Sequence, residues 1–253
     1  MYFKYNEQKI YYEKIGNSNN IILIFPGWGD NRSTFKNIID SLKDKYTIYI
    51  FDYPGFGNSN ITNKDLTIYD YAEIFINFMN EFNIESPIGI GHSFGGRLII
   101  TMAGKYNINF KKIILIDSAG IKPKKSLWKK IKQLTYKFLK KIKVFIPNKF
   151  KTNYLNKLIS IFGSSDYKSL PNSLHKTFIN IVNEDLTFLL SKIKNETLLI
   201  WGEKDLDTPL KDAYKMHSLI NDSGLVILKK ATHFCYLEQP LYIKIIINNF
   251  LNN

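Results

Sequence analysis

The sequence predicts an α/β fold in which a mostly parallel sheet carries helices on both faces and one helical insertion interrupts the alternation. Three observations carry this expectation. Short apolar runs rich in β-branched and aromatic residues, such as Ile21-Ile22-Leu23-Ile24-Phe25, alternate with amphipathic stretches at helical spacing, the pattern of strands buried on both faces with helices packed over them. Glycine- and proline-bearing loops follow the runs, at Pro26-Gly27-Trp28-Gly29-Asp30 and at Asp52-Tyr53-Pro54-Gly55-Phe56-Gly57. At Gly91-His92-Ser93-Phe94-Gly95 an apolar run meets a glycine-flanked serine and then a second apolar run compatible with a helix.

In chain order, Tyr2 to Tyr5 and Lys9 to Lys14 alternate around Asn6-Glu7-Gln8 and read as an opening hairpin. Ile21 to Phe25 is the first buried strand. Ser33 opens a helix to about Lys43, with Phe35, Ile38, Ile39 and Leu42 on one face. Tyr46 to Phe51 is the next strand. Thr67 caps a long helix whose core stripe is Tyr71, Ile74, Phe75, Phe78 and Phe82. Ile88 to Gly91 is a strand, Leu98 to Tyr106 continues the helix after the serine, and Lys112 to Asp117 is another strand. After the insertion, Thr197 to Trp201 is a strand, Pro209 begins a helix to about Ile220, Leu225 to Leu228 is the last strand, and Tyr242 to Leu251 a closing helix. Right-handed crossovers between such strands place ligand sites at their carboxyl ends.

At 253 residues with 45% hydrophobic content the chain can bury one full core domain with an insertion. The expected division is 1–120 with 192–253 as core and 121–191 as a helical lid. Its start, Met1 to Gly16, lacks an apolar run long enough for a signal peptide, and one cysteine, Cys235, cannot form an internal disulfide. The cytoplasm is the expected location. The net charge of +13 is not spread over the chain. Between Ser118 and Ser165 there are 13 Lys and no Arg, Asp or Glu, and the rest of the chain carries 22 basic against 22 acidic residues. No nucleic-acid motif accompanies that charge, so no nucleic-acid partner is expected.

The G-x-S-x-G spacing at Gly91 to Gly95 suits a strand-to-helix turn so tight that the serine is strained and only small neighbours fit beside it. The first N–H groups of the following helix then face the place where an attacked carbonyl oxygen becomes negative. A serine hydroxyl is a poor nucleophile at neutral pH and needs a base with a carboxylate to orient it. Of four histidines, His92 reads as a packed elbow residue, since the turn sends neighbouring side chains in different directions. His175 and His217 read as surface residues, whereas His233 lies in a loop after the last strand.

The stretch Gly91 to Gly96 resembles the nucleophile elbow of the α/β-hydrolase superfamily, and the resemblance extends over the core from about Ile21 to Leu251. It implies a serine hydrolase with Ser93 as nucleophile, His233 as base and Asp205, in Gly202-x-x-Asp205, as acid; Asp117 is the competitor, because some relatives place the acid after that strand. It implies an oxyanion hole from the backbone N–H groups of Phe94 and Trp28. The family often has His-Gly where this chain has Pro26-Gly27-Trp28, a departure that leaves a backbone donor in place. No cofactor and no metal are implied.

The insertion corresponds to the lid of many relatives. Leu127, Trp128, Ile131, Leu134, Phe138, Ile142 and Phe145 form an apolar stripe opposite a row of lysines. Two readings stand: a lid covering the active site with solvated lysines, or an interfacial helix drawn to anionic lipid or acidic substrates. The expected partner is a small-molecule substrate, an ester or thioester. The alternatives are the same machinery acting as a carbon–carbon bond hydrolase or aminopeptidase, and a noncatalytic binding protein on this scaffold.

Overall fold

A computed structural model describes residues 1–61, 64–122, 154 and 170–252. Strands β1 (Tyr2–Tyr5) and β2 (Gln8–Ile15) form the opening hairpin. Tyr5 pairs with Gln8, so the turn has two residues rather than three, and Asn6 takes φ 52° there, a backbone region asparagine tolerates. β3 (Ile21–Phe25) falls where the apolar run predicts it. The next helix is split into a 3₁₀ turn, Arg32–Phe35, and α1 (Lys36–Leu42). Its cap is Asn31 rather than Ser33: the Asn31 carboxamide accepts the Ser33 N–H at 2.9 Å.

β4 (Thr47–Phe51) leads to α2 (Ile68–Glu81), which Thr67 and Asp70 open with a reciprocal capping box. Tyr71, Ile74, Phe75 and Phe78 are buried as the stripe predicts, while Phe82 is the half-buried residue just past the helix end. Then come β5 (Ile88–His92), α3 (Phe94–Tyr106) and β6 (Ile113–Ile116). Among the described residues there follow α4 (His175–Asn183), α5 (Thr187–Leu190), β7 (Thr197–Gly202), α6 (Leu210–Leu219), β8 (Ser223–Leu228), α7 (Cys235–Glu238) and α8 (Pro240–Asn252). The lysine-rich stripe from Leu127 to Phe145 lies outside the described residues.

The sheet has eight strands in the order β1-β2-β4-β3-β5-β6-β7-β8; β1 and β2 are antiparallel and every pair from β4 to β8 is parallel. Period-2 alternation sorts the side chains of each strand between two cores. Ile22, Ile24, Ile48, Ile50, Ile114 and Ile116 pack under α1 and α8 on one face. Leu23, Phe25, Tyr49, Phe51, Leu115 and Leu199 pack under α2 and α3 on the other. The chain winds from β3 to β4 in one direction and resumes at β5 on the opposite side of β3. That reversal opens a crevice at the carboxyl ends of β3 and β5, where open α/β sheets place ligands. No helix among the described residues is long and apolar enough to cross a membrane.

Candidate active site

Ser93 joins β5 directly to α3 with φ 49° and ψ −107°, a conformation costly for a residue with a side chain. The strain is held by the surroundings. A Cβ on Gly95 would overlap the Phe25 carbonyl, and one on Gly91 would lie 2.6 Å from the Gly95 carbonyl carbon. These two positions let helix, nucleophile and β3 approach closely, which is why the spacing was readable.

Three loops from distant parts of the chain meet above this turn. The Ser93 hydroxyl donates to His233 Nε2 at 3.0 Å, and His233 Nδ1 donates to Asp205 Oδ2 at 2.8 Å. Asp205 follows β7 and is itself held: Oδ1 accepts the backbone N–H groups of Asp207 and Thr208 at 2.8 and 3.0 Å, and Oδ2 accepts the Thr208 hydroxyl at 2.6 Å. Trp201 Nε1 donates to the Thr208 carbonyl at 2.7 Å and pins the loop to β7. Burial would raise the Asp205 pKa, but the hydrogen bonds from His233 and Thr208 hold it below the usual carboxylate range. Burial likewise would lower His233; the hydrogen bond to Asp205 and the charges of Asp205, Asp117 and Asp207 outweigh it and raise the imidazole. Both shifts favour an imidazolium beside a carboxylate, the pair a proton-abstracting histidine forms.

Asp117 takes another place. It sits after β6 at φ 42°, and its carboxylate accepts the Gly202 N–H at 2.7 Å and the Cys235 N–H at 3.4 Å. Burial pushes its pKa up to about 6. It bridges the strand ends rather than touching the imidazole, so of the two acids only Asp205 is brought to His233. Asp207, two residues further along the loop, does not cap α6: Pro209 is the N-cap, without a side-chain bond, and the Asp207 N–H donates to Asp205.

Trp28 and Phe94 line one cavity of about 270 Å³ with Ser93 and His233. Their rings meet edge to face at 5.1 Å, and Phe94 also meets Tyr53 at 4.8 Å and Tyr71 at 5.2 Å. The Tyr53 hydroxyl donates to the Pro26 carbonyl at 2.9 Å, anchoring the loop that carries Trp28.

His92 does more than pack. Its Nδ1 lies 3.0 Å from Asp30 Oδ2 and its Nε2 lies 2.8 Å from the His233 carbonyl oxygen. Asp30 Oδ2 also accepts the Gly27 N–H at 3.0 Å. Both ring nitrogens thus face oxygens, one of a carboxylate and one of a backbone carbonyl. One buried side chain therefore ties the β3 loop, the nucleophile turn and the base loop together. The sequence offered no signal for this beyond the histidine beside the serine, because Asp30 is 62 residues away. Arg97, buried one helical turn after Ser93, also lines the cavity and was not anticipated. His217 is exposed and bonds Ser223, as a surface residue would.

Asp205, Asp207 and His233 are the residues, among those described, whose metal-ligating atoms lie within 4.8 Å of one another. Each Asp205 oxygen already receives two donors, which suits an orienting carboxylate better than a cation ligand.

A family model described as alpha/beta hydrolase fold matches residues 20–187. A pimeloyl-[acyl-carrier protein] methyl ester esterase from Wigglesworthia glossinidia brevipalpis is 30% identical over 94% of this chain and 96% of its own. A 2-hydroxy-6-oxo-6-phenylhexa-2,4-dienoate hydrolase from Comamonas testosteroni is 24% identical over 91% of this chain and 86% of its own. Among solved structures, MGS-M2, an alpha/beta hydrolase enzyme from a Medee basin deep-sea metagenome library, superposes with a TM-score of 0.78 at 19% identity, covering 100% of this chain and 98% of that one.

Proposed function

Because the chain belongs to the α/β-hydrolase family, we propose that it is a serine hydrolase cleaving an ester or thioester of a small or acyl-chain substrate through an acyl-enzyme on Ser93. The observation that carries this reading is the unbroken relay from the Ser93 hydroxyl through His233 to Asp205, with bonds of 3.0 and 2.8 Å. His233 Nε2 takes the hydroxyl proton as Ser93 Oγ bonds to the carbonyl carbon, and Asp205 stabilises the imidazolium through Nδ1. The oxygen that becomes negative is met by the N–H groups of Phe94 and Trp28. His233 then gives the proton to the departing alcohol or thiol, which leaves as the carbonyl re-forms. In the second half His233 activates water, which attacks the acyl-enzyme and releases the acid and Ser93.

The esterase relative supports an ester as substrate, and the Comamonas hydrolase keeps a carbon–carbon bond hydrolase as second reading. An aminopeptidase would need acids of the insertion to hold the substrate amine; of Asp166, Glu184 and Asp185, the first lies outside the described residues, and the other two already accept the Tyr69 and Thr187 hydroxyls, each at 2.6 Å. Short p-nitrophenyl esters and a fluorophosphonate probe test the proposal. Ser93→Ala is expected to lose about 10⁴- to 10⁶-fold in kcat and to take up no label. Equal turnover or labelling at another residue refutes it, and wild-type protein that splits vinylogous diketones but no ester shifts it to the second reading.

A further inference from the structure

We propose that Arg97 forms a carboxylate subsite in the Ser93 cavity, so that the preferred esters carry a free carboxylate a short spacer away from the scissile carbonyl. This rests on the ester-hydrolase reading and names the substrate class within it.

Arg97 is the fourth residue after Ser93, and its N–H donates to the Ser93 carbonyl at 3.3 Å. Four helical residues rise about 6 Å, which leaves the guanidinium within reach of a group about two to five carbons from the bond under attack. The side chain is 4% exposed and lines the same cavity as Ser93 and His233. Of its five N–H donors, the described residues use one: Nη1 donates to the Glu184 carbonyl at 2.7 Å. No carboxylate among them forms an ion pair with it, since Glu184 is taken by Tyr69 and Asp185 by Thr187. Burial lowers its pKa to about 10, against the pull of Glu184 and Asp185; at neutral pH it is still a cation.

A desolvated guanidinium that uses one donor of its fork on the described residues is an expensive way to hold one carbonyl, and an apolar side chain of similar volume would fill the space at lower cost. An incoming carboxylate turns that cost into recognition: it supplies the counter-charge and accepts two parallel N–H bonds. A monoanion fits better than a phosphate dianion, because Asp207 and Asp212 line the same cavity. The Asp212 carboxylate makes no hydrogen bond among the described residues, and burial raises its pKa.

Monomethyl succinate, glutarate and adipate, each paired with the chain-matched neutral methyl ester, test the proposal by the ratio of the two kcat/KM values. Wild type is expected to favour the anionic member by about tenfold or more, with the ratio falling toward one in Arg97→Met and partly kept in Arg97→Lys. A structural role at Glu184 would instead lower both substrates equally and leave the ratio where it was; that result overturns the subsite. Because Arg97→Met can fail to fold, inhibition of wild-type neutral-ester turnover by glutarate and by glutaramide gives a second reading. Glutarate inhibiting about tenfold more tightly supports the subsite, and equal inhibition overturns it. Absence of any Ser93-dependent ester turnover strikes down the hydrolase reading instead. Calorimetric titration of glutarate into Ser93→Ala, which needs no turnover, then decides the subsite alone: saturable binding supports it, and its absence overturns it.

Discussion

Replacing Asp205 by asparagine exchanges one carboxylate oxygen for an NH₂ and, by the hydrogen bonds around it, inverts the imidazole. The Oδ1 position receives two backbone N–H groups at 2.8 and 3.0 Å that cannot turn away. The carboxamide oxygen must stay there, which puts the NH₂ where Oδ2 was, facing His233 Nδ1 and the Thr208 hydroxyl. Thr208 loses little, since its hydrogen can turn to the Asp117 carbonyl oxygen at 3.0 Å. His233 has no such freedom: its Nδ1 must now accept, the ring proton moves to Nε2, and the nitrogen aimed at Ser93 no longer has a lone pair to take a proton. The wrong tautomer costs about 10⁴ in kcat, roughly 5 kcal/mol of transition-state stabilisation, while KM and thermal stability change little. Steady-state hydrolysis of p-nitrophenyl butyrate from pH 6 to 9, with a melting curve to show that the variant folds, measures it. A folded Asp205→Asn protein within about tenfold of wild type refutes the reasoning.

Asp117→Asn is expected to stay within about tenfold of wild type in kcat, because Asp117 braces Gly202 and Cys235 instead of the imidazole; parallel assays of the two variants decide which acid orients the base. The kcat/KM of wild type should rise with pH through a midpoint above 6.5, because the base must be neutral and the Asp205 hydrogen bond and neighbouring acids raise His233 against burial. The same shift has the opposite sign for stability: the His233 contribution is fully present below its unfolded pKa and is lost as pH rises through the folded one. Melting temperatures across that window check it in the Ser93→Ala protein. His92→Phe keeps a ring but removes the ring nitrogens that meet Asp30 and the His233 carbonyl, and is expected to cost about 2–4 kcal/mol of stability and to lower kcat more than it raises KM; loss of neither marks His92 as packing alone.

Much of the fold was legible because the sheet is buried on both faces. Where a strand runs through the centre, burial dictates an unbroken apolar run, so β3 and β5 fall within a residue of where Ile21–Phe25 and Ile88–Gly91 put them. Edge and cap details were less legible. β8 begins at Ser223, two residues before its first apolar residue, because pairing with β7 rather than hydrophobicity fixes that end. The short helix Cys235–Glu238 has no periodicity long enough to read. Among site residues, Ser93 and His233 carried local or ordering signals. Arg97 and Asp30 carried none, since their meaning lies in what they meet: a cavity wall, and a histidine far along the chain.

His233 lies 140 residues beyond Ser93 and comes to it on the loop after β8, a strand at the sheet's edge. The strained serine can form once β3, β5 and α3 are in place, but it has no base until that edge strand has docked. Contacts of such separation are made late, after the chain has borne the entropy of closing the intervening loop. A partly folded molecule therefore carries an elbow that cannot hydrolyse anything. During refolding from denaturant, esterase activity should trail the return of helical signal, and its rate should follow the docking of the final strand.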